Sequence, residues 1–225
     1  MPTLDRDCDV FVLNLGADEN RFAPDWAAAT RGFVAEVAAT NGPAALVTVA
    51  DGKFWSNGLD LDWLTANLDQ AETYVAAVQS LFAEVLVLPV PTVAAVQGHC
   101  FAAGAMLALA HDWRVMRADR GFFCLPEVDI QIPFSVGMDA LIRSKLPVAT
   151  AIDAMTTGRR FGGSDAAAAG IVHRAVDEDR VLPDAVEIAR PLAAKAGDTL
   201  GTIKSRMFAE VVSRLGQTEG LTLDG

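Results

Sequence analysis

The chain is predicted to fold as an α/β protein. Strand and helix alternate through its first two-thirds, helices dominate afterwards, and the apolar β-branched runs are too short and too evenly buried in pattern to be helices. Val10-Phe-Val-Leu-Asn-Leu15 reads as a buried strand, and Pro24 to Ala39 as a helix opened by proline in its first turn. Ala45-Leu-Val-Thr-Val-Ala50 is a second strand of the same character. A long helix follows from about Gln70 to Leu88, because Val75, Val78, Leu81, Phe82, Val85 and Leu86 recur at helical spacing and Pro89 and Pro91 stop it. Thr92-Val-Ala-Ala-Val-Gln97 is the third strand and runs into Gly98. Ala103 to His111 is predicted helical, and Trp113-Arg-Val-Met116 is a fourth strand. Further helices are expected at Val136–Lys145, Val148–Thr157, Ser164–Ala169, Glu178–Ala196 and Thr199–Leu215. Ser164 is read as the N-cap of the third of these and Gly170 as its left-handed stop. No internal repeat or low-complexity linker is visible.

The 225 residues and 23.8 kDa suit one domain, and 52% apolar residues supply a sizeable core. A mean hydropathy of +0.28 is high, which points to a buried subunit interface. No apolar run approaches the roughly 20 residues of a membrane span. The opening Met-Pro-Thr-Leu-Asp-Arg-Asp has no basic stretch followed by an apolar one, so no secretory leader is expected, and Leu-Asp-Gly at the end matches no peroxisomal address. The net charge of −11 argues against nucleic acid and anionic membrane partners, but leaves room for an anionic small ligand held by a few local cations. Cys8, Cys100 and Cys124 are widely spaced, which suits a reducing cytoplasm. His99, His111 and His173 are scattered too, so no metal site is expected.

Three segments carry possible chemistry. Phe54-Trp-Ser-Asn-Gly-Leu-Asp60 has turn composition at Ser56-Asn57-Gly58, with a helix able to begin near Leu59-Asp60-Leu61. Gly98-His-Cys-Phe-Ala-Ala-Gly104 follows the third strand, and its small Ala102-Ala103-Gly104 allows close backbone approach by a ligand. Amides at the start of a helix lack intrahelical partners and sit at the positive end of the dipole. Two of them converging on one oxygen would form an oxyanion hole. Taken alone, each loop also fits an ordinary strand-to-helix turn. The third segment is Leu125-Pro-Glu-Val-Asp-Ile130, where Glu127 stands among Phe122, Phe123, Leu125, Val128 and Ile130. Partial burial there would raise its pKa and strengthen it as a base, though a glutamate after proline is often only an exposed charge.

Together these segments, in this order and at these separations, resemble the crotonase (enoyl-CoA hydratase/isomerase) superfamily. Thr156-Gly158-Arg159 through Ser164, Ala166-Ala167 and Gly170-Ile171-Val172 resembles a further family segment, and the likeness runs from about Val10 to Arg206. It implies a crotonase-like spiral of ββα repeats with a helical C-terminal region. On that reading residues 1–195 form the core domain and 196–225 a short C-terminal helical segment serving trimerisation and site cover, with the chain ending at Gly225 earlier than in typical members. It also implies an acyl-CoA substrate, no separate cofactor because coenzyme A is part of that substrate, and a homotrimer or hexamer. By matching position, the oxyanion-hole amides are those of Leu59 and Ala103. Lys53, Ser56, Asn57, Gly58, Asp60, Ala102, Gly104 and Met106 are placed around the substrate, Lys53 by a looser match near the CoA nucleotide.

The resemblance also bears on the reaction. Hydratases of the family use two glutamates; one corresponds to Glu127, and Met106 occupies the position of the other. Dienoyl-CoA isomerases also want an aspartate eight residues beyond the glutamate, where Ser135 stands. One base, two amides and an apolar pocket suit a 1,3-proton shift that converts a 3-enoyl-CoA to the 2-trans isomer. Glu-Val-Asp-Ile with Pro133-Phe134, and Asp18-Glu-Asn-Arg21, resemble monofunctional Δ3,Δ2-enoyl-CoA isomerases. The open alternatives are a weak hydratase, a thioester hydrolase helped by Asp60, Asp62 or Asp129, and a non-catalytic acyl-CoA-binding protein.

Overall fold

A computed structural model of the chain describes residues 1–217. Its main sheet has six strands in the order β1-β2-β3-β5-β7-β9, comprising β1 (Thr3–Asp7), β2 (Val10–Asn14), β3 (Ala45–Val49), β5 (Thr92–Val96), β7 (Trp113–Arg117) and β9 (Arg174–Val176). Only β1 runs antiparallel to its neighbour, β2. A second sheet has three parallel strands, β4 (Phe54–Ser56), β6 (His99–Phe101) and β8 (Phe123–Cys124), in that order. The first strand of each ββα unit thus joins the large sheet, and the second turns away into the small one.

β3 and β5 are buried along their whole length, as parallel strands covered on both faces must be. Their period of two divides the core. Ala45, Val47, Val49, Val93 and Ala95 meet α8 (Val181–Ala189) on one face of the sheet. On the other face Leu46, Ala94 and Val96 join the main core with α1 (Pro24–Ala38), α3 (Ala71–Leu86) and α4 (Ala103–Ala110). The eight residues of α4 are buried on every side, so this helix runs through the centre of the molecule. α5 (Val136–Lys145), α6 (Val148–Thr157), α7 (Gly163–Ala168), α9 (Asp198–Met207) and α10 (Ala209–Leu215) complete the fold around a short α2 (Leu61–Ala66). No helix among the described residues is long and apolar enough to cross a membrane.

Several predicted elements need correction. The helix expected over Glu178–Ala196 is three pieces: 3-10 turns at Glu178–Arg180 and Arg190–Lys195 flank α8. Pro191 lacks the N–H that would continue the α pattern beyond Ala189. The helix expected over Thr199–Leu215 begins at Asp198 and breaks at Phe208, where φ is −109° and ψ 17°. The break lets Lys204 of α9 and Val211 and Leu215 of α10 all be buried. α7 begins at Gly163, with Gly162 rather than Ser164 at the cap. Residues 218–225 of the proposed C-terminal segment lie outside the described residues.

Candidate active site

The two glycine loops are more than strand-to-helix turns. Each contains a strand of the small sheet, β4 and β6, and their pairing as Phe54↔His99 and Ser56↔Cys100 brings the loops side by side. Gly58 sits at φ +84°, and a Cβ there would lie 2.9 Å from the Ala103 nitrogen and 3.0 Å from the Phe101 carbonyl. Only glycine allows that conformation and that approach. Gly104 behaves similarly, since its Cβ would fall 2.7 Å from both the Cβ and the carbonyl oxygen of Ser56.

Hydrogen bonds then fix which amides remain available. The Gly58 N–H donates to the Ser56 hydroxyl at 3.1 Å, and the Gly58 carbonyl accepts from Phe22 N–H at 2.8 Å. The Ser56 hydroxyl donates in turn to the Asn20 carbonyl. Asp60 N–H donates to the Tyr74 hydroxyl at 2.9 Å, and the Asp60 carboxylate caps α2 by accepting from Trp63 N–H. Between these engaged neighbours, the Leu59 amide has no protein acceptor among the described residues. The Ala103 amide is likewise unpaired, at the first position of α4, where the helix dipole is positive. Ala102, which precedes it, holds φ 50° and ψ −126°, a region costly for any residue with a Cβ.

Glu127 faces the same space. Phe123 and Leu125 are buried in the core, and Pro126 closes a turn in which its carbonyl accepts from Asp129 and Ile130 N–H. The Ile132 N–H donates to the Glu127 carbonyl at 3.1 Å, so the glutamate backbone is held from both sides. The residue is 6% exposed, and its Oε2 has no hydrogen-bond partner among the described residues. Loss of solvent pushes this carboxyl from an ordinary 4.5 up to about 7.

A cavity of about 320 Å³ joins these groups. Of the predicted site residues, Glu127, Leu59, Ala103, Asn57, Ala102 and Met106 line it. Ser56, Gly58 and Gly104 stand behind the wall as the scaffold just described, and Asp60 is spent on the α2 cap. Lys53 is exposed, its ammonium 5.1 Å from the centre of the Phe54 ring and away from the cavity lining. Met106 is 1% exposed and contributes only apolar surface. Ser135 caps α5 and donates to Gln79, a structural role. Among the proposed helper aspartates, Asp62 lies at the cavity edge but is ion-paired to Arg21 at 2.6 Å, and Asp129 is exposed with its carboxylate against Gly158.

Arg21, Phe101, Ile132 and Met138 also line the cavity and were not among the predicted residues. Asn20 belongs with them as a support. At φ 49° its side-chain amide donates to the carbonyls of Gly16, Phe54 and Trp55, tying the stretch after β2 to β4. An asparagine in Asp-Glu-Asn-Arg has the left-handed tolerance for that role, which was the available signal.

A family model described as Enoyl-CoA hydratase/isomerase matches residues 36–224. The chain is 36% identical to Enoyl-CoA delta isomerase 2, peroxisomal, of Arabidopsis thaliana, over 96% of this chain and 95% of that protein. It is 35% identical to Enoyl-CoA delta isomerase 3 of the same plant, over 94% of this chain and 93% of the relative. Among solved structures, an enoyl-CoA hydratase from Mycobacterium marinum superposes with a TM-score of 0.86 at 25% identity, covering 95% of this chain and 94% of that one.

Proposed function

The chain belongs to the enoyl-CoA hydratase/isomerase family, and on that footing we propose that it is a Δ3,Δ2-enoyl-CoA isomerase in which Glu127 alone moves the proton. The acyl-CoA thioester is the substrate and supplies its own coenzyme. Glu127 takes a proton from C2 of the 3-enoyl-CoA, and the electron pair flows into the thioester carbonyl to give a dienolate. Its negative charge falls on the oxygen facing the Leu59 and Ala103 amides, where one such donor contributes roughly 3 kcal/mol. Protonated Glu127 then returns the proton at C4, and the double bond rests between C2 and C3. Atoms balance without water or another reactant.

The observation that carries this reading is a buried carboxylate with an unpartnered oxygen in one cavity with two unpaired amides and Met106. A pKa near 7 makes the carboxyl both an adequate base and an adequate acid for a round trip of one proton. Activity should rise as pH climbs through that value. Water addition would need a second carboxylate to activate the water, and Met106 fills that place with a side chain unable to move protons. Incubation with 3-hexenoyl-CoA and, separately, with 2-hexenoyl-CoA tests the assignment. Migration of the double bond in the first and little hydration in the second is expected. Rapid formation of 3-hydroxyhexanoyl-CoA from the second would overturn it.

A further inference from the structure

Leu59 sits between two peptide planes, and each is held from outside its loop. The plane before it joins the Gly58 carbonyl to the Leu59 N–H, and that carbonyl accepts from Phe22 N–H at 2.8 Å. A trans peptide sets its C=O and N–H in opposite directions, so this bond aims the Leu59 amide. The plane after it joins the Leu59 carbonyl to the Asp60 N–H, which donates to the Tyr74 hydroxyl at 2.9 Å.

Both holds trace to α3. Phe22 packs edge-on against Phe82 with ring centres 6.3 Å apart, and Tyr74 belongs to the first turn of the same helix. Tyr74 is buried, and the Trp63 ring of α2 is centred 4.9 Å from its own. It does not line the reaction cavity, so it acts from behind the wall. Burial pushes its pKa up to about 12, which keeps the hydroxyl neutral through the range in which Glu127 titrates.

Without that hydroxyl the plane between Leu59 and Asp60 loses its hold. Turning it would bring either the Asp60 N–H or the Leu59 carbonyl towards the cavity. The first gives the enolate a misplaced rival donor, and the second a repelling dipole. We propose that Tyr74 is a positioning residue, whose hydroxyl engages the Asp60 amide so that the Leu59 amide, and not its neighbour, meets the thioester oxygen. This inference rests on the isomerase reading and adds to it a residue outside the cavity.

Tyr74→Phe removes one oxygen and keeps the ring. On 3-hexenoyl-CoA its kcat should fall about tenfold to a hundredfold, less than for loss of a whole donor, with KM within about twofold. The pH midpoint of activity should not move. With hexanoyl-CoA carrying 13C at the thioester carbon, the infrared band of the bound carbonyl should lie at higher frequency than in the parent, because a poorly aimed donor polarises it less. Val78→Ala, buried one turn along α3, controls for loosened packing and should leave kcat within about twofold and the band in place. The parent's kcat and band in Tyr74→Phe, or the same changes in Val78→Ala, would overturn the proposal. Should Tyr74→Phe not fold, hydrogen exchange in the parent decides: a protected Asp60 amide supports the hold, and exchange at the rate of an unprotected amide overturns it. If the parent binds the thioester but moves no double bond, the isomerase reading alone has failed, and the infrared comparison still decides the role of Tyr74. A parent that binds no hexanoyl-CoA overturns both.

Discussion

Glu127 is a carboxylate that the fold buries with one oxygen, Oε2, unpartnered among the described residues, and this has a thermodynamic signature apart from catalysis. Its folded-state pKa near 7 lies above the ordinary 4.5 of an unfolded chain. Between those values the folded protein keeps a proton that the unfolded protein has lost, so stability falls as pH rises through the window. Above it the cost is complete and amounts to roughly 3 kcal/mol. Glu127→Gln should therefore be the more stable protein at about pH 8 by up to that amount, with little difference near pH 4. Urea unfolding of both proteins at the two pH values measures it, and equal midpoints at the higher pH would mean that the carboxylate is solvated. Glu127 was legible as a charge in an apolar run between proline and valine. The partner contacts that leave its Oε2 and the Leu59 amide unpaired are long-range, and no local pattern encodes them.

At the scale of elements, the small sheet does the positioning. β4, β6 and β8 are two or three residues long, too short for a period of two to register, so the two loops read as plain turns. Their pairing is what sets Leu59 beside Ala103. The glycines were legible as close-approach positions, but not what each approaches. Gly58→Ala should show the point. A methyl at φ +84°, aimed at the Ala103 nitrogen 2.9 Å away, would push the loops apart. Loss of one aligned donor is expected to lower kcat about a hundredfold or more, with destabilisation of at least about 1 kcal/mol. Turnover and thermal unfolding check both, and a variant with the parent's kcat would show that the amides are not held by this contact. β1 was missed because its charged, exposed residues give no apolar signal, and it survives as an edge strand on β2.

At the scale of the molecule, the two sheets and the central α4 enclose one reaction space from three distant stretches of chain. β3 and β5 are apolar but for the buried Thr48 and Thr92, and their character as buried strands could be read from sequence. The cavity could be read only in part. Leu59, Ala103 and Met106 line it from segments the sequence singles out, whereas Ile132 and Met138 enter through tertiary packing alone. The most direct measurement is isomerisation of 3-hexenoyl-CoA by Glu127→Gln alongside its affinity for hexanoyl-CoA. Turnover should fall between about a hundredfold and ten-thousandfold while Kd moves by no more than about threefold. A variant that shifts the double bond at the parent's rate would contradict a single-glutamate proton shuttle.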